Sequence, residues 1–98
     1  MAVPDQITLK SFHPHYNGEY ILDLYDGRWM FQNTKYGDIW IHEKDNHWWI
    51  GHEYSIGQNN GYAWLSESHP WPIGPTQTWR RGGTDDYIPG AFATTQGN

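Results

Sequence analysis

An all-β domain is the fold class this sequence predicts: a small antiparallel meander of five or six short strands, curled into a strongly twisted sheet or a small barrel. Three observations carry the expectation. Gly (11) and Pro (6) recur too often along 98 residues for an uninterrupted helical stretch. Short runs of β-branched and aromatic residues lie between turn signals. Trp (7), Tyr (7) and Phe (3) supply most of the apolar mass. An isolated flat sheet would leave one aromatic face wet, so curling is expected.

The runs follow in order. Ile7–Leu9 reads as a first short strand, ahead of the polar stretch His13-Pro14-His15. Asn17-Gly18 is a turn signal, and Glu19–Leu24 a strand. Asp26-Gly27 is the next turn, followed by Arg28–Gln32. The loop Asn33–Gly37 leads to Asp38–His42, and Glu43–Asn46 turns the chain into His47–His52. Gln58–Gly61 turns it into Tyr62–Ser66. A Pro-rich loop, His69 to Pro75, precedes Gln77–Arg80. Residues 1–81 are read as one β domain. The Gly/Thr-rich 82–98 segment is read as a tail or a loosely packed cap, where Tyr87, Ile88 and Phe92 are the residues that would hold a cap down.

Composition narrows the function classes. Ninety-eight residues make one domain with one core. Cysteine is absent, so neither disulfides nor a thiolate metal site can staple it. Each buried aromatic removes on the order of 150–250 Å² from water, so a few indoles replace many leucines. The formal net charge of −5 argues against nucleic acid and against an anionic membrane surface. No apolar run approaches the ~20 residues of a membrane span. Met1 to Asp5 has neither the basic start nor the apolar stretch of a signal peptide. A cytoplasmic chain, or a piece of a larger protein, is favoured over a Cys-free extracellular module.

The hairpin from Asp38 to His52 carries the functional inference. A four-residue Glu43–Asn46 loop and a two-residue Asp45-Asn46 loop sort the residues identically, because both are even in length. One face then holds Ile39, Ile41, Trp48 and Ile50, a core face. The other holds Trp40, His42, His47 and Trp49. An odd loop would mix the sets. Indole planes beside imidazole donors and acceptors suit a sugar, whose C–H face stacks while its hydroxyls hydrogen-bond. They also suit a Pro-rich peptide. The expected ligand-binding residues are Trp40, His42, Asp45, Asn46, His47, Trp49 and Trp71. The competing reading buries both faces, because the sheet closes or packs on the 69–75 loop.

Other candidates weigh less. Six histidines invite a zinc site, with His42 and His47 meeting across the turn near Glu43 or Asp45, but no recognised ligand spacing appears. No metal and no cofactor is expected. Most of the carboxylates sit at turns, where Asp bonds its own backbone, and there is no GxSxG motif, Cys nucleophile or phosphate-cradling loop. An enzyme is therefore not expected. Trp71, in the stiff His69–Pro75 loop, either rims a pocket or plugs the open end of the sheet as a lid. Arg80-Arg81 would anchor a carboxylate, stack on a ring, or simply lie at the surface.

From Asn17 to Trp79 the aromatics and glycines form a pattern: Gly18-Glu19-Tyr20, Trp29, Ile39-Trp40-Ile41, Trp49-Ile50-Gly51, Gly61-Tyr62, then Pro70 through Pro75 with Trp79. It resembles a small β module that recurs, often in several copies, in multidomain eukaryotic proteins, notably of algae and other protists. That resemblance implies an all-β binding or scaffolding unit without catalytic residues. The histidines and the second Trp of the His47-Trp48-Trp49 run fall outside the pattern, where this chain's own specificity is expected. The reading is a lectin-like carbohydrate-binding module. Its alternative is a protein- or peptide-interaction or structural module of a larger protein, and a metal-binding enzyme comes third. Exposed edge strands leave a homodimer open.

Overall fold

A computed structural model describes residues 3–95. Among these residues eight strands form, in chain order β1 (Gln6–Lys10), β2 (Gly18–Tyr25), β3 (Arg28–Asn33), β4 (Ile39–Lys44), β5 (His47–His52), β6 (Ala63–Leu65), β7 (Trp79–Arg81) and β8 (Phe92–Thr94). A single 3₁₀ turn, Glu53–Ser55, is the only helix among the described residues. All the strand pairings are antiparallel. The sheet runs β7-β6-β5-β4-β3-β2-β1-β8, a meander that returns beside its own first strand.

Two tight hairpins set the register. Asp26 and Gly27 have φ of 49° and 79°, and Asp45 and Asn46 have φ of 52° and 69°. Left-handed backbone at both central residues is the pattern of a type I′ turn, whose twist matches that of the strands it joins. The first turn pairs Tyr25 with Arg28, and the second pairs Lys44 with His47. The antiparallel path puts these two turns and the 66–78 loop at one end of the sheet, the near end. The 11–17, 34–38 and 53–62 connections lie at the far end.

One face of the curled sheet makes the core. Ile7, Leu9, Tyr20, Phe31, Ile39, Ile41, Trp48, Ile50, Leu65 and Trp79 are buried together. Each aliphatic or aromatic side chain of this size contributes roughly 1.5–3 kcal/mol on burial, enough for a core without cysteine.

The segment expected as a tail or loose cap is part of the sheet. Arg80 bridges Tyr87, Arg81 N–H donates to Asp86 O (2.8 Å), and Ile88 N–H donates to Trp79 O (2.9 Å). The chain bends at Pro89-Gly90 and continues as β8 on β1, with Ala91 and Ala93 in the core. A single bent segment thus joins the first strand to the last. Sequence patterning missed it because the residues it sends into the core are two alanines, with Phe92 between them left exposed, and its strand is three residues long. The last three residues of the expected tail, 96–98, lie outside the described residues.

What remains of the seam is closed by one side chain. The Gln77 amide donates to Ala93 O (2.8 Å) and to Gly74 O (3.0 Å). Its oxygen accepts from Ala93 N–H (2.7 Å) and from the Trp79 indole N–H (2.9 Å). Both donors and both acceptor sites of the carboxamide are used. Gln77 bonds Ala93 as a neighbouring strand's backbone would.

Candidate functional site

The central hairpin turns through the two-residue Asp45-Asn46 loop, with Ile41 opposite Ile50 and His42 opposite Trp49. The faces sort as parity predicts. Ile39, Ile41, Trp48 and Ile50 belong to the core, while Trp40, His42, His47 and Trp49 lie on the outer face. Exposure departs from the expectation. Trp40 is 3% exposed, His42 0% and Trp49 9%. Neighbouring side chains cover them. The Tyr25 ring meets Trp40 edge-on at 5.2 Å, and Trp64 stacks on Trp49 at 5.8 Å. Gln32 pairs with Trp40, and that register continued sets buried Met30 beside His42. The recognition surface expected on Trp40, His42 and Trp49 is therefore corrected to a second, outer layer of packed side chains, one residue thick.

This layer is short of hydrogen bonds. The indole N–H groups of Trp40 and Trp49 and both ring nitrogens of His42 are buried without a partner among the described residues. Desolvation lowers the His42 pKa from 6.5 to about 4, because the imidazolium would have to leave water with no acceptor. His42 is thus a neutral core residue at pH 7.

The other expected residues scatter. His47 is half-buried, its Nδ1 lies 3.0 Å from Leu65 O, and its ring meets Trp64 edge-on at 5.3 Å. Asp45 accepts from the Asn59 amide (2.7 Å), so the 53–62 connection reaches back to this turn, and Asp45 does not line the near-end cavity. Asn46 N–H donates to Glu43 Oε2 (2.7 Å), and Asn46 O accepts from Ser68 Oγ (3.0 Å). Asn46 and Trp71 alone among the expected residues line the same cavity.

That cavity is a cleft of about 760 Å³ at the near end. Arg28 and Trp29 of β3 form one wall, the β4–β5 hairpin contributes Glu43, Asn46 and Trp48, and the loop through Trp71 closes the third side. Trp29 is 53% exposed. It shares the face of Phe31, but at the end of the strand where no neighbour covers it. Glu43 points to the same side as Trp48, its partner in register. Trp71 packs edge-on against Phe31 (6.2 Å) and lies 5.9 Å from Trp48, while remaining partly exposed to the cleft. Both structural expectations for Trp71 therefore meet in one residue: it covers the end of the core and rims a cavity.

The loop is braced. The Trp48 indole N–H donates to His69 O (3.2 Å), and His69 Nε2 lies 2.6 Å from Thr76 O. Glu67 accepts from both N–H (2.7 Å) and Oγ1 (2.8 Å) of Thr78 at the loop's base. Partial desolvation works to raise the Glu67 pKa, but these two bonds, its own backbone N–H and the nearby His69 together hold the carboxyl below its ordinary value. Gly74 sits so close to the His69 ring that a Cβ there would clash with it.

Residue reasoning overlooked Trp29, Arg28 and Glu43 as wall residues. A usable signal was present: an antiparallel meander brings its alternate turns, here 26–27 and 45–46, to one end. Among the described residues no group of three or more His, Asp or Glu side chains could hold a metal ion.

A single small antiparallel β domain, closed almost into a barrel and carrying an aromatic-walled cleft at one mouth, is the class of protein these features define. Compared with known proteins, the chain matches no family model, no curated protein and no solved structure.

Proposed function

We propose that the chain is a non-catalytic binding module whose near-end cleft takes a carbohydrate. One observation supports this above the rest: two partly exposed indoles, Trp29 and Trp71, line one cleft together with the polar side chains of Arg28, Glu43 and Asn46. Flat apolar faces beside a few fixed polar groups are the recipe of a small-ligand site. A pyranose presents the complement, an apolar C–H face rimmed by hydroxyls. The Glu43 carboxylate is anchored by the turn through Asn46 N–H (2.7 Å), which reduces the entropy lost when a hydroxyl binds it.

The test is a glycan array followed by titration calorimetry on the best binder. Trp29→Ala is expected to abolish binding and leave the melting temperature unchanged, since more than half of that side chain is already in water. Trp49→Ala is expected to do the reverse, lowering stability by about 3 kcal/mol through lost packing. Wild-type binding that survives Trp29→Ala would remove the cleft from consideration.

Leu24 favours a second reading. It is 54% exposed and is the cross-strand partner of Trp29, so the apolar surface extends beyond what a sugar needs. A protein or peptide ligand would use both residues. Leu24→Lys weakens such a partner and leaves glycan binding intact.

A further inference from the structure

Within the cleft, most polar groups are already committed to the fold. Asn46 uses its N–H and its C=O on Glu43 and Ser68. Ser68 donates its hydroxyl to Asn46 O. The His69 carbonyl accepts from Trp48. The Asn46 side-chain amide and the second Glu43 oxygen stay unpaired among the described residues, and so does Arg28, the one guanidinium lining the cleft. Its guanidinium makes no hydrogen bond or ion pair with any described residue, and the only ion pair found among them joins His52 and Asp38. The nearest carboxylate lining the cleft, Glu43, turns one oxygen to the Asn46 N–H instead.

Arg28 is also next in sequence to Trp29, the most exposed indole of the chain. Alternation sends the two side chains to opposite faces of β3, but both line the cleft at the strand's end, so five N–H donors without a partner of their own stand at the rim of a stacking platform. Neutral hydroxyls would engage such a group weakly. A carboxylate matches it with two parallel, charge-assisted bonds.

We infer that the cleft recognises an acidic sugar, a hexuronate residue whose ring stacks on Trp29 while its carboxylate is held by the free guanidinium of Arg28. The inference rests on the carbohydrate reading of the cleft and adds the ligand's charge. The chain's net charge of −5 opposes an acidic ligand, but beyond about 8 Å that repulsion is screened at physiological ionic strength. Within the cleft Glu43 opposes it too, with one oxygen held by the Asn46 N–H, so the preference depends on the ligand's carboxylate meeting Arg28 directly.

The test compares one sugar chain in two charge states. Short oligomers of 1,4-linked galacturonic acid and their methyl esters keep the same rings and differ at the carboxyl. By titration calorimetry, the free acid is expected to bind wild type about tenfold or more tightly than the ester, the size expected for hydrogen bonds to a charged group. Arg28→Gln is expected to bring the two affinities together, and Arg28→Lys to keep part of the preference. Both variants should melt with wild type, because Arg28 is exposed. Trp29→Ala should weaken acid and ester alike. Equal affinity of wild type for acid and ester overturns the inference and leaves the carbohydrate reading standing, as does binding of neutral glycans only. A preference that persists in Arg28→Gln overturns it too. Arg28-dependent binding of a glutamate-rich peptide without any uronate binding assigns the carboxylate to a protein partner and overturns it likewise. Binding to no glycan of either kind overturns both.

Discussion

At the scale of single residues, His42 stands out because its chemistry and its surroundings disagree. It lies on the outer face of β4, fully buried, with neither ring nitrogen paired among the described residues. A buried polar group left unpaired costs about 1–3 kcal/mol. Two consequences follow. His42→Leu, close in volume and without polar atoms, is expected to raise stability at pH 7 by about 1 kcal/mol or more. The pH dependence has a definite sign. The folded-state pKa is lowered from 6.5 to about 4, so between those values the unfolded chain binds a proton that the folded chain does not. Stability is complete above pH 6.5, falls by about 3 kcal/mol as the pH drops toward 4, and changes no further from this group below that. Urea titrations from pH 4 to 8 should show the slope in wild type and its loss in His42→Leu. Identical slopes in the two proteins would mean that His42 is not held neutral by burial.

At the scale of elements, the β4–β5 hairpin links fold to cleft. Its turn places Asn46 at φ 69°, a left-handed conformation that most residues with a Cβ adopt only at a cost of roughly 1–2 kcal/mol. Asn46→Val should lower the stability by about that amount, while Asn46→Gly should leave it equal or higher. Thermal melts of the pair measure this directly, and equal melting temperatures would exclude turn strain as the controlling factor. The same turn supplies the N–H that holds Glu43 in the cleft (2.7 Å). Asn46→Gly keeps that N–H, so it removes the side-chain amide from the wall while leaving Glu43 anchored. The Pro-rich loop is fastened to this hairpin by Ser68 and by the Trp48 indole, which is why a stretch with little regular structure can form a cavity wall.

For the whole molecule, closure is the governing event. Gln77 makes four hydrogen bonds, two of them to the N–H and C=O of Ala93. Gln77→Leu keeps the volume but strands those two groups and the Trp79 indole N–H, so a loss of about 3 kcal/mol or more is expected in chemical denaturation. Gln77→Glu should also destabilise, since an oxygen would replace the donor that faces Ala93 O. Protection of the Ala93 amide from hydrogen exchange should fall in both. Wild-type stability in Gln77→Leu would mean that the seam is held elsewhere. Gly82 contributes to the same assembly. It donates to Tyr62 O (2.8 Å), and a Cβ there would overlap the carbonyl oxygen of Gly61.

Much of this fold can be read from local pattern. The turns at Asp26-Gly27 and Asp45-Asn46, the strands between them and the division of Trp40, His42 and Trp49 from Ile39, Ile41 and Trp48 all follow from side-chain alternation and turn chemistry. These are short-range constraints, acting over a few bonds. Three features lie beyond their reach: the cover that Tyr25 and Trp64 place over the outer indoles, the meeting of Arg28 and Trp29 with Trp71 in one cleft, and the Gln77–Ala93 closure. Each joins residues separated by many positions along the chain. Alternation says which side of a strand a side chain occupies, but solvent exposure depends on what else arrives on that side, and that is settled when distant strands pack.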